Sequence, residues 1–241
     1  MLSEEKIEAA VALLQEIERE YAPVALATSF GVEDMLLTDL AAKHAPKINI
    51  ITLDTGRLPA ETYTLMQKVR DHYGDVIEIY APETQSLQDF VRANGVNAFY
   101  NSVDLRKQCC AVRKIEPLRR ALEGKKAWIT GLRREQSVTR AEISIKEDDQ
   151  MFGILKFNPL LEWTEQEVWA YIRRYDVPYN ELHEKGYPSI GCAPCTRAIT
   201  ENEDVRAGRW WWENPETKEC GLHVAKFAGN TDANQSKGSR A

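Results

Sequence analysis

Predicted strands that alternate with helices, turns of small and polar residues at the ends of three of those strands, and a length of 241 residues without a convincing linker together predict an α/β protein. Its sheet is expected to be mostly parallel, with helices on both faces. After an amphipathic first helix, the run PVALATSF at 23–30 reads as a buried strand, and 33–44 as a helix with apolar residues on one face. A strand at 48–55 (INIITLDT) precedes a helix at 59–73 that opens Pro-Ala-Glu, as a helix start does. DVIEIYA at 75–81 is the third strand, and a helix around 105–122 leads into a fourth, AWITG at 127–131. Residues 154–161 give a last strand before a helix at 164–175, where Thr164 and Glu167 have the spacing of a capping box. From about 178 the periodicity breaks down into turn residues, three cysteines, three consecutive tryptophans and a polar end. This reads as a cap or tail over the ligand edge of the sheet.

Composition bounds the function. Hydrophobic residues at 43% and charged residues at 28% are ordinary for a soluble globular chain. A formal net charge of −6 makes nonspecific nucleic-acid binding an unexpected role, while leaving room for a local basic site. The start, MLSEEKIEAAVALLQEIERE, is acidic and amphipathic, and reads as neither a signal peptide nor a membrane span. The expectation is a cytoplasmic protein. Five cysteines in such a chain point to metal or redox chemistry rather than structural disulfides, and the odd number allows one four-thiol site with one thiol left over.

Three turns follow predicted strands. TSFGVED at 28–34 offers backbone N–H groups and the Thr28 and Ser29 hydroxyls to an anion at a helix start. LDTGR at 53–57 offers Asp54 to a sugar hydroxyl or base amine and Arg57 to an anion; GLRREQS at 131–137 brings Arg133 and Arg134. Each turn alone is also what an ordinary strand–helix connection looks like. In a parallel sheet, however, the three converge on one edge, where such sheets bind ligands.

The strongest pattern is Cys109 and Cys110 with Cys192 and Cys195, the second pair as CAPC. Two thiolates on a tight turn can face one metal centre, and on ligand count the set suits zinc or an iron–sulfur cluster equally. Adjacent cysteines are unusual in a zinc ribbon, which favours a cubane cluster. Cys220 stands apart in KECGLH, where Lys218 and His223 can lower its thiol pKa and Gly221 lets the backbone swing. Arg113 and Lys114 follow the cysteine pair by one turn, and Arg206 and Arg209 sit three apart on an expected helix between CAPC and Cys220. Together such groups make an electropositive pocket for a sulfate ester and a phosphate. Trp210, Trp211 and Trp212 read first as packing residues.

The constellation resembles the assimilatory adenylylsulfate reductases, the cluster-containing branch of the APS/PAPS reductase family. The matching stretches are SFGVED at 29–34, LDTGR at 53–57, CCAVRK at 109–114, GLRREQS at 131–137, CAPC at 192–195, RAGRWWW at 206–212 and ECGLH at 219–223. The resemblance implies an adenine nucleotide alpha hydrolase-like fold, divided into a cluster-carrying reductase domain at 1–209 and a C-terminal redox tail at 210–241. It implies a [4Fe–4S] cluster on Cys109, Cys110, Cys192 and Cys195, with Cys220 as nucleophile. Ser29, Asp54, Arg57, Lys114, Arg133 or Arg134, Arg206, Arg209 and His223 would surround the substrate. The implied reaction reduces adenosine 5′-phosphosulfate (APS) to AMP and sulfite with thioredoxin as reductant, in proteins that are often dimers or tetramers. A reductase that prefers or also accepts 3′-phosphorylated PAPS is the near alternative. Further off are an ATP pyrophosphatase-type thiolation enzyme, against which Phe30 stands in place of a loop glycine, and a non-catalytic zinc module, which leaves Cys220 unexplained.

Overall fold

The computed structural model describes residues 2–136 and 143–214. Along the chain run α1 (Glu4–Glu20), β1 (Val24–Thr28), α2 (Val32–His44), β2 (Asn49–Leu53), α3 (Ala60–Tyr73), β3 (Ile77–Tyr80) and α4 (Thr84–Asn94). They are followed by α5 (Val103–Cys110), α6 (Glu116–Leu122), β4 (Ala127–Ile129), β5 (Lys146–Asp149), β6 (Ile154–Phe157) and α7 (Glu165–Arg174). Six strands form one sheet in the order β3-β2-β1-β4-β6-β5. All neighbours are parallel except β5 and β6. The central strands are short apolar runs because both of their faces are covered. Val24 and Leu26 of β1 point into the core under α1, α2, α3 and α7, while Ala25 and its neighbours Ile51 and Trp128 meet Leu118, Ala121 and Leu122 of α6 on the opposite face.

Local chemistry sets the helix ends. The Ser3 hydroxyl accepts from the Lys6 backbone N–H at 3.3 Å, and α1 then buries Ile7, Ala10, Leu14 and Ile17 at helical spacing. The expected capping box opens α7: Thr164 Oγ1 accepts from Glu167 N, and the Glu167 carboxylate accepts from Thr164 N at 2.8 Å.

Several expectations need correction. The helix expected over 105–122 is instead α5, a π-helical turn at Ala111–Ile115 and α6. The last parallel strand stops at Phe157, because the next residues leave the sheet in turns. Helix α4 and strand β5 were not foreseen. β5 (KEDD) lacks a strand-like apolar pattern and forms because a turn, with Gly153 N bonded to Asp149 O at 2.7 Å, folds β6 back against it. Its charges suit an edge strand. From β1 the connections run one way to β2 and β3, whereas from β4 they run the other way, so the topological switch point lies between the ends of β1 and β4. Open α/β sheets bind ligands there.

Candidate active site

A cavity of about 620 Å³ opens at this switch point. The turn after β1 forms one wall. Ser29 donates from both its backbone N–H and its hydroxyl to Asp34 Oδ2, at 2.7 and 2.6 Å, closing the turn on the first residues of α2. Phe30 takes a left-handed φ of 63° inside it, a conformation unusual for a non-glycine residue. Burial pushes the Asp34 carboxyl up to about 6, against the opposing hydrogen bonds from Ser29 and Gly131. Gly131, at the end of β4, approaches so closely that a Cβ there would collide with Asp34 Oδ1.

The turn after β4 supplies the second wall. Arg133 is buried, its Nε donating to Glu33 Oε1 at 2.8 Å and one terminal nitrogen to Glu135 at 3.2 Å. Ser29, Glu33, Asp34, Gly131 and Arg133 all line the cavity. Arg134 does not: it turns outward to Glu162 at 2.6 Å.

The turn after β2 divides between two places. Thr55 lines the large cavity, but Asp54 and Arg57 do not. Asp54 Oδ1 accepts from Gly56 N at 2.8 Å and from the Tyr63 hydroxyl at 2.7 Å, which holds the turn while Gly56 takes a φ of +68°. Arg57 lies 5.2 Å over the Phe99 ring, donates to Val96 O and Asn97 Oδ1, and faces a second, smaller cavity of about 20 Å³.

That smaller cavity holds the cysteines. Cys109, Cys110, Cys192 and Cys195 are buried, form no disulfide and all line it, with Arg106, Arg113 and Lys114. The first pair ends α5, and the second flanks a single 3₁₀ turn at Ala193–Cys195, pinned by Ala193 N to Arg57 O at 2.8 Å. Thr55 Oγ1 lies 3.3 Å from Cys192 Sγ, and Arg113 donates to Thr55 O at 2.6 Å. Burial pushes the Cys109 thiol up, opposed by Arg113. It pushes Cys195 up to about 12, opposed by Lys114 and Arg209. Among the described residues, no three His, Cys, Asp or Glu side chains are gathered closely enough to hold one metal ion.

Lys114 lines both cavities, because the π-helical turn carries it between them. Arg206 and Arg209 line the large one, though not from the expected helix. Gly and Trp neighbours favour a turn instead, with Arg209 N bonded to Arg206 O at 2.9 Å and Arg209 bridging Thr196. Arg209 is buried, and a Cβ on Gly191 would collide with its guanidinium. Trp210 is buried beside the cysteines, Trp212 is half-buried, and Trp211 is exposed.

The sequence reading missed one end of the large cavity. Trp169 and Arg173 of α7, with Tyr179, His183 and Glu184, line it there. Trp169 meets Tyr179 and His183 edge-on at 5.2 and 5.5 Å, and burial lowers the His183 pKa, which keeps the imidazole neutral. The available signal was the polar side of the amphipathic α7, but nothing in it distinguishes cavity from solvent. Cys220, His223 and Ser137 lie outside the described residues. No helix among the described residues is long and apolar enough to cross a membrane.

Comparison with known proteins agrees with this geometry. The model of the phosphoadenosine phosphosulfate reductase domain matches residues 23–198. An adenosine 5′-phosphosulfate reductase of Allochromatium vinosum is 59% identical over 220 residues, covering 91% of this chain and 86% of its own. Among solved structures, a phosphoadenylyl-sulfate (PAPS) reductase from Candida auris superposes with a TM-score of 0.65 at 30% identity, over 83% of this chain and 98% of its own. An NH3-dependent NAD synthetase from Campylobacter jejuni, 15% identical with a TM-score of 0.52 over 76% of each chain, shares the fold alone. The chain belongs to the APS/PAPS reductase family.

Proposed function

We propose that this protein reduces adenosine 5′-phosphosulfate to sulfite and AMP in sulfate assimilation, with Cys220 as nucleophile, thioredoxin as reductant and a [4Fe–4S] cluster on Cys109, Cys110, Cys192 and Cys195. The single observation that carries this reading is the cavity at the switch point, where Lys114, Arg206 and Arg209 meet the turns after β1 and β4. Three cations suit a phosphosulfate, and the walls beside Ser29 and Gly131 leave room for the adenosine. The 59% identity to a relative named for APS supports APS as the substrate.

The donor set around the cysteine cavity is the one a cluster would use. Its four thiols are buried, outside any disulfide, and share one cavity with Arg57, Arg113 and Lys114, whose charge favours thiolates. A zinc ion needs its sulfurs within about 2.3 Å of one point. A cubane spreads its four ligands over separate irons, one thiolate to each, which the four cysteines lining one cavity match in number. Bound there, the cluster would supply a compact charge beside Lys114 and fix that residue's position.

The Cys220 thiolate attacks the sulfate sulfur, the bond from that sulfur to the bridging oxygen breaks, and AMP leaves with the electron pair. Lys114, Arg206 and Arg209 stabilise charge on the leaving phosphate and the transferred sulfonate. An S-sulfocysteine remains. A thioredoxin thiolate then attacks Cys220 Sγ and expels sulfite, and its second thiol resolves the mixed disulfide and restores Cys220. In this reading residues 1–209 form the cluster-carrying body, 210–241 form the tail, and the protein acts in the cytoplasm.

The test is thioredoxin-dependent sulfite release from APS and from PAPS on anaerobically purified protein. Turnover of APS faster by tenfold or more, about 1.4 kcal/mol in transition-state binding, is the expected result. Equal rates would mean a pocket tolerant of a 3′-phosphate, and sulfite from neither would overturn the proposal.

A further inference from the structure

Arg57 does more at the cysteine cavity than add charge. Its guanidinium holds the connection from α4 to α5, donating to Val96 O and, at 3.0 Å, to Asn97 Oδ1, and it lies 5.2 Å over the Phe99 ring. The Arg57 carbonyl accepts from Ala193 N at 2.8 Å, so one residue grips both that connection and the turn carrying Cys192 and Cys195. A second fastening joins the same two segments directly, the Tyr100 hydroxyl donating to Pro194 O at 2.8 Å. Phe99 and Pro194 line the cysteine cavity. Phe99 is buried in one apolar cluster with Cys109, Cys192 and Cys195, whereas Val96 and Tyr100, its neighbours in the connection, are exposed. On this side the thickness of a single residue separates the thiols from solvent.

We propose that residues 96–100 are the outer wall of the cysteine site, and that Arg57 and Tyr100 are the latches that set how readily small solutes reach a cluster bound there. The inference rests on the cluster in the reading above, and it makes Arg57 a positioning residue of the cysteine site rather than a substrate ligand. Each such hydrogen bond is worth little, but a local opening breaks only these few contacts while the sheet and its core stay intact. Where opening and closing are fast compared with attack, the rate of attack follows the open population. Losing one latch raises that population about fivefold.

The experiment uses the anaerobically purified, cluster-loaded full chain, challenged with EDTA in the absence of APS, and reads loss of the brown absorbance. Tyr100→Phe is the decisive variant, because it removes one hydroxyl and leaves the charge, the ring and the residues lining the cavity unchanged. Iron should leave this variant about fivefold faster, and leave Arg57→Met faster by a similar factor or more. APS affinity, measured in a Cys220→Ser background, should be unchanged in both. At low urea these rates should rise far less steeply than the global unfolding constant, because opening the wall exposes little surface. An unchanged rate in Tyr100→Phe, or rates that track global unfolding, would overturn the wall. Weakened APS binding in Arg57→Met with unaltered iron loss would overturn its assignment as a latch and return it to the substrate. Absence of iron from the unsubstituted protein would overturn the cluster reading, and the role of the wall with it.

Discussion

Asp34 offers a quantitative test of how the first turn is built. Its carboxyl is buried and shifted from 3.8 to about 6, with burial as the largest cause. An acid whose folded pKa lies above its unfolded value opposes folding at high pH, because the native state binds its proton more tightly. A shift of roughly two units amounts to about 3 kcal/mol of destabilisation at neutral pH, relieved progressively as pH falls through about 6 toward 4. Between pH 7 and pH 5 the relief is about 1.3 kcal/mol. Asp34→Asn removes the titration and keeps an oxygen for the two Ser29 donors; setting its amide N–H against the Gly131 N–H carries a penalty that does not change with pH and so cancels between the two pH values. Urea unfolding of both proteins should therefore show the unsubstituted chain gaining about 1.3 kcal/mol relative to Asp34→Asn on going from pH 7 to pH 5. Other carboxylates cancel in that difference. Parallel pH profiles would refute the reasoning, since they would mean that Asp34 titrates alike folded and unfolded.

Other residues give sharper contrasts. Cys220→Ser should retain the cluster's brown absorbance and bind APS yet form no labelled adduct; normal turnover by that variant would end the mechanism. Arg134→Ala, which loses an exposed contact to Glu162 outside the cavity, should leave kcat/KM for APS within about twofold, whereas Arg133→Ala, which strands Glu33 in the cavity wall, should lower it by tenfold or more. Gly131→Ala should cost about 1–3 kcal/mol in denaturant unfolding, because its Cβ collides with Asp34 at a backbone-tight contact. Lys114→Ala should lower kcat/KM by about 10²-fold or more, the scale of losing one preorganised cation, while binding of plain AMP changes far less.

The parallel core was legible because strands buried on both faces must be short apolar runs, and VALAT, NIITL and AWI are such runs. The turns that follow β1 and β4 were legible for a related reason, since parallel strands deliver their ends to one edge. Arg206 and Arg209 were found, but not their turn, because two basic residues three apart look helical until Gly208 is seen pressed against the backbone of Arg197. β5 was invisible: KEDD carries no pattern of its own and is a strand only because β6 offers it a partner. Trp169 and Arg173 were missed because amphipathicity identifies the side of α7 that is buried and says nothing about what the other side faces, and Tyr179 and His183 because they lie past α7, where the periodicity has already broken down. Arg57 and Asp54 show the converse limit. Both were rightly placed at the end of a strand, yet Tyr63 holds one and Phe99 the other, contacts that depend on α3 and on the segment after α4.

The division of labour among the basic residues follows from the backbone between Cys110 and Glu116. In an uninterrupted α-helix Arg113 and Lys114 would continue the spiral of α5 past the cysteines. The π-helical turn at Ala111–Ile115 changes that phase. Arg113 is buried against Thr55 O and faces the cysteines alone, while the next residue, Lys114, reaches the wall between both cavities. Arg133 already carries Glu33 and Glu135 as counter-charges. Lys114, Arg206, Arg209 and Trp210 line the same large cavity as Arg133. Basic side chains thus gather on the wall of the large cavity, a field that favours an anion there, whereas Arg134 turns its charge outward to Glu162.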